Sequence, residues 1–307
     1  MKATLSAIGL GALLACACNG AFAQATDTVQ QGRANTAYTE QLGEGALTPS
    51  LFTVTATIMQ IGNNNHVGDP DARTPGIFQR NNINASATIY QNGNGNAASI
   101  VQEETRGFET PVLITQVGNR NDAAVTQNIL SGVETSLSQT GNNNVARLEQ
   151  LNSSDSVFTA TQNGSENFLS LRQQRSQFRQ AEISQTGFRN SVTLDQDGPL
   201  SGSSIAQDGR MNTVTGTIRG EFISNSIQQI GTGNTATTIQ SGDNDISDIV
   251  QIGNHNLAAL TQTGSNNFSQ MSQAGNNNLA SVTQTGDFFA ASINQDGSNN
   301  RAGAYQH

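Results

Sequence analysis

Tryptophan is missing from this chain, lysine occurs only at Lys2, and the only cysteines are Cys16 and Cys18. Apolar residues make up 35% of the 307 positions, aromatics 5% and charged residues 12%, where an ordinary domain is about half apolar and about a quarter charged. An acidic chain with no basic run is a poor partner for a phosphate backbone, which excludes nucleic acid as a stoichiometric ligand. Beyond residue 23 no apolar run is long enough to span a membrane. Low hydrophobicity of this degree usually signals disorder, but disordered chains carry high net charge and few β-branched residues. This chain is instead rich in Gly, Asn, Gln, Ser, Thr, Ile and Val, the mixture that favours β-aggregation.

The opening "MKATLSAIGLGALLACACNGAFAQ" reads as a signal peptide over residues 1–23, with Lys2, an apolar run and a small-x-small site at Ala21-Phe22-Ala23. "LLAC", ending at Cys16, is a rival lipoprotein-type cut. Cleavage after Ala23 removes both cysteines and Lys2, taking the formal charge from -9 to -10. The mature chain, 24–307, is then secreted without a disulfide, a thiolate metal site or thiol chemistry.

What the chain does have is a repeat. A "Q-x-G-x-x-N" unit recurs at Gln116, Gln139, Gln162, Gln185, Gln207, Gln229, Gln251, Gln273 and Gln295, at intervals of 23 and then 22 residues. Its glycines are Gly118, Gly141, Gly164, Gly187, Gly209, Gly231, Gly253, Gly275 and Gly297. Its asparagines are Asn121, Asn144, Asn167, Asn190, Asn212, Asn234, Asn256, Asn278 and Asn300. A second glutamine sits halfway, at Gln127, Gln150, Gln173, Gln196, Gln240, Gln262, Gln284 and Gln306, with Ile218 in its place once. The same markers reach back to Gln30, Gln60 and Gln91, giving twelve units. Three inserts, near 44–56, 68–76 and 103–111, stretch the early spacing, and no linker interrupts the rest, so the mature chain reads as one solenoid domain.

In "QIGNHNLAALTQ" the residues Asn256, Ala258, Leu260 and Gln262 alternate with polar ones, the period of a strand with one face inward. The "IGNH" before them has turn chemistry. Eleven residues make a strand and a turn, two such halves make a rung, and a rung buries its inner face only by stacking on another. The expected fold is therefore all-β, a two-sided β-solenoid of stacked strand-turn-strand rungs. Buried amides would be costly alone, but each Gln and Asn can bond to its equivalent about 4.8 Å away on the next rung. The pattern runs from Gln30 to Gln306 without an evident cap, an invitation to end-to-end addition of further copies.

Units such as "QVGNRNDAAVTQ", "QTGNNNVARLEQ" and "QAGNNNLASVTQ" resemble the curlin repeat of curli fimbrial subunits, which polymerise into amyloid fibres of the bacterial biofilm matrix. The resemblance covers most of residues 30–307. It implies an inward Gln and Asn ladder at the positions above, with Ile114, Leu137, Ile183, Ile227, Leu260, Met271, Val282 and Ile293 between them. It also implies a homopolymer at the cell surface, an outer-membrane secretion pore, accessory proteins that restrain polymerisation, and a nucleator subunit. The chain departs from the family in repeat number, in its inserts and in having only "QATDTV" between the leader and Gln30.

Other chemistries find little support. Asp243, Asp245 and Asp248 cluster in "SGDNDISD" and read as a solvated acidic patch, since a calcium β-helix turn needs aspartates at fixed places. His66, His255 and His307 share no motif and fall in turn or end positions; Glu103 and Glu104 are merely adjacent in a loop. No nucleophile sits in an elbow motif, so no catalytic, metal or cofactor residue is assigned. Strand charges, among them Arg147, Glu149, Arg172, Asp195 and Asp248, read as solvent-facing, with a gatekeeping effect on stacking. A monomeric adhesin-like rod and a polysaccharide-active β-helix remain the alternative classes.

Overall fold

The computed structural model describes residues 2–6, 23–42, 53–69, 74–105, 110–177 and 180–307. They form a two-sheet β-solenoid of stacked strand-turn-strand rungs, divided between two compact units, Met1–Phe158 and Thr159–His307. Residues 7–22 of the segment read as a leader, and residues 44–52, 70–73 and 106–109 of the three inserts, lie outside the described residues.

In the first unit a representative rung pairs Thr110–Asn119 in one sheet with Asp122–Asn128 in the other, joined by a bend at Arg120 and Asn121. The next rung, Glu134–Asn142 and Val145–Leu151, lies parallel and in register, so Gln116 faces Gln139, Gly118 faces Gly141 and Gln127 faces Gln150. The register follows from the sequence period, because a slip of one residue would turn every inward side chain out to solvent. Among the described residues antiparallel pairing occurs at two places, Lys2–Ser6 against Thr36–Leu42, and Gly68 and Asp69 against Thr74 and Pro75. The second insert falls between two short strands that share one neighbour. His66–Asp69 and Ile77–Arg80 share one rung position beside Ala97–Glu103, and the chain re-enters the ladder at Gly76, whose N–H donates to the Tyr38 carbonyl at 2.8 Å. His66 accordingly opens a strand instead of sitting in a turn. Thr53 to Ala56, read as the end of the first insert, begin the strand Thr53–Asn63.

The second unit repeats the plan. One sheet contains Gln180–Phe188, Gly202–Arg210, Ser224–Thr232, Ile246–Asn254, Phe268–Asn276 and Ala290–Ser298. The other contains Phe168–Gln174, Ser191–Asp197, Thr213–Arg219, Thr235–Asp243, Leu257–Ser265, Leu279–Thr285 and Arg301–Gln306. Alternate residues point between the sheets, and the eight aliphatics from Ile114 to Ile293 named above are all buried there. Each such side chain contributes roughly 1.5–3 kcal/mol on burial.

Candidate functional site

The feature that recurs in every rung is a line of buried amides, and its geometry starts with the glutamine. In the first unit Gln116 Nε2 donates to Gln139 Oε1 at 2.8 Å and to the Ala97 carbonyl of the facing strand at 2.9 Å. Its own Oε1 accepts from Gln91 Nε2 at 2.8 Å. Both N–H donors and the carbonyl are thus used, which is what allows Gln116 to be 0% exposed. The second unit carries the same bonds through Gln162, Gln185, Gln207, Gln229, Gln251, Gln273 and Gln295, with Nε2 to Oε1 distances of 2.8 to 2.9 Å. Every Nε2 points to the later rung, so the line of amides has a direction.

The asparagines do a different job. Asn256 Oδ1 accepts from the backbone N–H of Asn278 at 3.1 Å, and Asn256 Nδ2 donates to the Gly275 carbonyl at 2.9 Å. The same pair of bonds links Asn190 to Asn212 and Gly209, Asn212 to Asn234 and Gly231, and Asn234 to Asn256 and Gly253. Asn278 donates to Gly297, Asn167 to Gly187 and, in the first unit, Asn121 to Gly141. Asn121 Oδ1 accepts from Asn144 N–H at 3.1 Å, and Asn300 N–H donates to Asn278 Oδ1 at 3.0 Å. Asn300 is half-buried; the other eight of these asparagines are buried.

The glycine explains why that carbonyl is available. Gly118 has φ +116°, which turns its carbonyl toward the neighbouring rung, and a Cβ on it would lie 2.0 Å from the Gly141 oxygen. Side chains are excluded there both by the backbone conformation and by the neighbour. Two residues later the chain enters the left-handed region again, at Arg120 with φ 56° and Asn143 with φ 55°, a conformation tolerated by residues other than glycine. The spacing of Gln, Gly and Asn was legible in the sequence. That the Asn amide reaches the glycine carbonyl one rung on, and the Gln amide a strand across the core, was not, because both partners are backbone atoms.

The second glutamine line is Gln41, Gln79, Gln102, Gln127 and Gln150 in the first unit, and Gln173, Gln196, Gln240, Gln262, Gln284 and Gln306 in the second. It is broken at Ile218, which lies between Gln196 and Gln240. Gln240 Oε1 is left buried with no hydrogen-bond partner. Ile218→Gln is therefore expected to raise the stability of the folded chain by about 1 kcal/mol, the net value of a hydrogen bond. A urea unfolding midpoint that falls instead would show that the apolar contacts of Ile218 outweigh the missing donor.

Charge pairs clip adjacent rungs from outside. Arg80 meets Glu103 at 3.0 Å and Arg147 meets Asp122 in the first unit; Arg189 meets Glu166 at 2.6 Å and Arg175 meets Asp197 in the second. The Arg175 guanidinium, through a hydrogen bond first and its charge second, holds the Asp197 carboxyl below the usual range. Pairs this exposed contribute little to stability.

Residues 243–275 and 275–307 match the family model of the curlin associated repeat. The match covers the last three rungs and is a similarity to curlin repeats. No curated protein matches the chain. The burial of Asp245 corrects one sequence reading. Asp243 is exposed and Asp248 half-buried, but Asp245 is 0% exposed and holds the asparagine position of the second turn, where Asn267 N–H donates to its Oδ1 at 2.9 Å. The three acids are therefore not one solvated patch. Across the second unit that turn position is filled by Ser201, Ile223, Asp245, Asn267 and Phe289, a looser column than the first edge. His255 lies exposed in a bend, and His66 Nδ1 is 2.9 Å from Thr36 Oγ1. Among the described residues no group of three or more His, Cys, Asp or Glu could hold a metal ion, and no helix is long and apolar enough to cross a membrane.

Proposed function

We propose that the protein is an extracellular structural subunit that adds end to end to copies of itself, forming curli-like amyloid fibres of a biofilm matrix. The observation that carries this reading is the self-complementarity of the rung. The face that Gln229 and Asn234 present to the following rung is the face that Gln251 and Asn256 present to the one after it. A rung of a second copy can supply the same acceptors, carbonyls and N–H groups as a rung of the same chain. The common direction of the Gln amides favours head-to-tail addition, since reversing one copy would bring like groups together. The curlin repeats at 243–307 support the assignment and, with it, a secretion pore, accessory proteins and a nucleator as partners.

Purified mature chain, examined by electron microscopy and fibre diffraction, is expected to give unbranched fibres of micrometre length with a meridional spacing of about 4.8 Å. Fibres seeded with sonicated fragments should elongate without a lag. A particle of one chain that stays monodisperse at high concentration would favour an adhesin-like binding rod instead. The spacing alone does not decide, because an isolated solenoid shares it; fibre length does.

A further inference from the structure

Asp245 sits in a column whose two other polar members, Ser201 and Asn267, each donate a hydrogen bond. Ser201 Oγ donates to the Gly220 carbonyl at 2.9 Å and Asn267 Nδ2 donates to the Gly286 carbonyl at 2.9 Å, each reaching the glycine 19 residues on. On the opposite edge Asn234 and Asn256 make the same 19-residue reach, to Gly253 and Gly275. For Asp245 the corresponding glycine is Gly264, with φ +120° and its carbonyl turned toward the rung before it, as the 1.5 Å approach of a Cβ placed on Gly242 shows. Asp245 Oδ1 is occupied by Asn267 N–H, while Oδ2 is buried with no partner. An ionised carboxylate has only acceptors to offer a carbonyl oxygen.

We propose that Asp245 is protonated in the folded rung and donates that proton to the Gly264 carbonyl, so that closing this turn takes up a proton. The surrounding charges favour the neutral form. Asp243 lies on the same turn, Asp248 on the strand that follows, Glu221 on the turn before and Asp287 on a later turn of the same edge. Arg219, the cation on the preceding strand, is directed to Asp195 at 3.9 Å. Burial pushes the Asp245 carboxyl above its ordinary 3.8; hydrogen bonds from Asn267 oppose the shift, and Asp243 and Asp287 add to it.

A carboxyl raised in the folded state makes its full contribution below the ordinary value of 3.8 and loses it as the pH rises toward the raised value. Above that window the rung carries a buried charge against a carbonyl. The device makes the second unit more stable in mild acid than at neutral pH, without any ligand. It rests on the rung geometry and not on polymerisation, so a chain that folds but forms no fibres tests it equally well.

The test compares full mature chain with Asp245→Asn, which keeps the shape and donates at every pH, and with Asp243→Asn, which removes an exposed charge from the same turn. Urea unfolding of freshly refolded protein is followed by circular dichroism from about pH 3 to pH 8. Wild type and Asp245→Asn are expected to agree at the acid end and to separate as pH rises, by tenfold in the unfolding constant for each unit of pKa elevation. Asp243→Asn should retain the pH dependence of the wild type. A constant ratio between wild type and Asp245→Asn over the whole range would overturn the proposal. So would a carbon-13 titration of the Asp245 carboxyl in folded protein with its midpoint at or below 3.8.

Discussion

Gly118→Ala is expected to prevent the first unit from stacking, at a cost of more than about 4 kcal/mol, while Gly95→Ala in the same unit costs about 1–2 kcal/mol. Both glycines have positive φ, so the difference isolates what surrounds them. At Gly118, with φ +116°, an added Cβ meets the backbone oxygen of Gly141 at 2.0 Å, and relief requires moving one rung away from the next. The oxygen also accepts from Asn121 Nδ2 at 2.9 Å, so that movement breaks the Asn bond as well as the strand pairing. At Gly95, with φ +66°, the nearest atom to an added Cβ is Arg120 Cγ at 3.6 Å, an ordinary contact. The equivalent residue is Asn64 in one neighbouring rung and Arg120 in the other, both left-handed, so Gly95→Asn is expected to be neutral or stabilising. Urea midpoints of the three variants give the ranking; equal losses for Gly118→Ala and Gly95→Ala would show that backbone conformation alone accounts for the glycine.

Much of this architecture can be read from the spacing of three residue types, and the reason is physical. A stacked rung imposes the same environment on each copy of a position, so Gln116, Gln139 and their successors must solve the same burial problem and converge on the same side chain. What spacing cannot reveal is a bond to backbone, such as Asn256 to the Gly275 carbonyl. It is also blind where the column is irregular. Asp245 reads as a surface acid because its neighbours Asp243 and Asp248 are acidic, yet its position, five residues after Gln240, is an inward one. Counting from the glutamine would have found it; counting charges hid it. The segment between His66–Asp69 and Ile77–Arg80 was legible as an insert, but not as an interruption within a single strand position.

Gln251→Ala is expected to cost about 3–5 kcal/mol and to slow assembly by the same measure, because one substitution strands three partners. Gln251 Nε2 donates to Gln273 Oε1 at 2.9 Å and to the Thr235 carbonyl at 3.0 Å, and its Oε1 accepts from Gln229 Nε2 at 2.8 Å. Each buried group left without a partner costs about 1–3 kcal/mol, and the missing side chain adds a cavity. Gln251→Leu separates the two contributions, since it fills the space and restores none of the bonds; a loss close to that of alanine would assign the effect to the amide. Ile252→Ala, one residue on and 46% exposed, is the control and should stay within about 0.5 kcal/mol. The chain already contains the milder version of this experiment. Ile218 leaves Gln240 Oε1 without a donor in the second glutamine line, while the first line is continuous through the same rungs from Gln185 to Gln295. A gap is tolerated where the parallel line holds the register. Breaking the first line at Gln207, level with Ile218, should therefore cost more than breaking it at Gln251. Gln207→Ala and Gln251→Ala measured side by side, with the larger loss at Gln207, would establish that the two lines share the task of holding the rungs together.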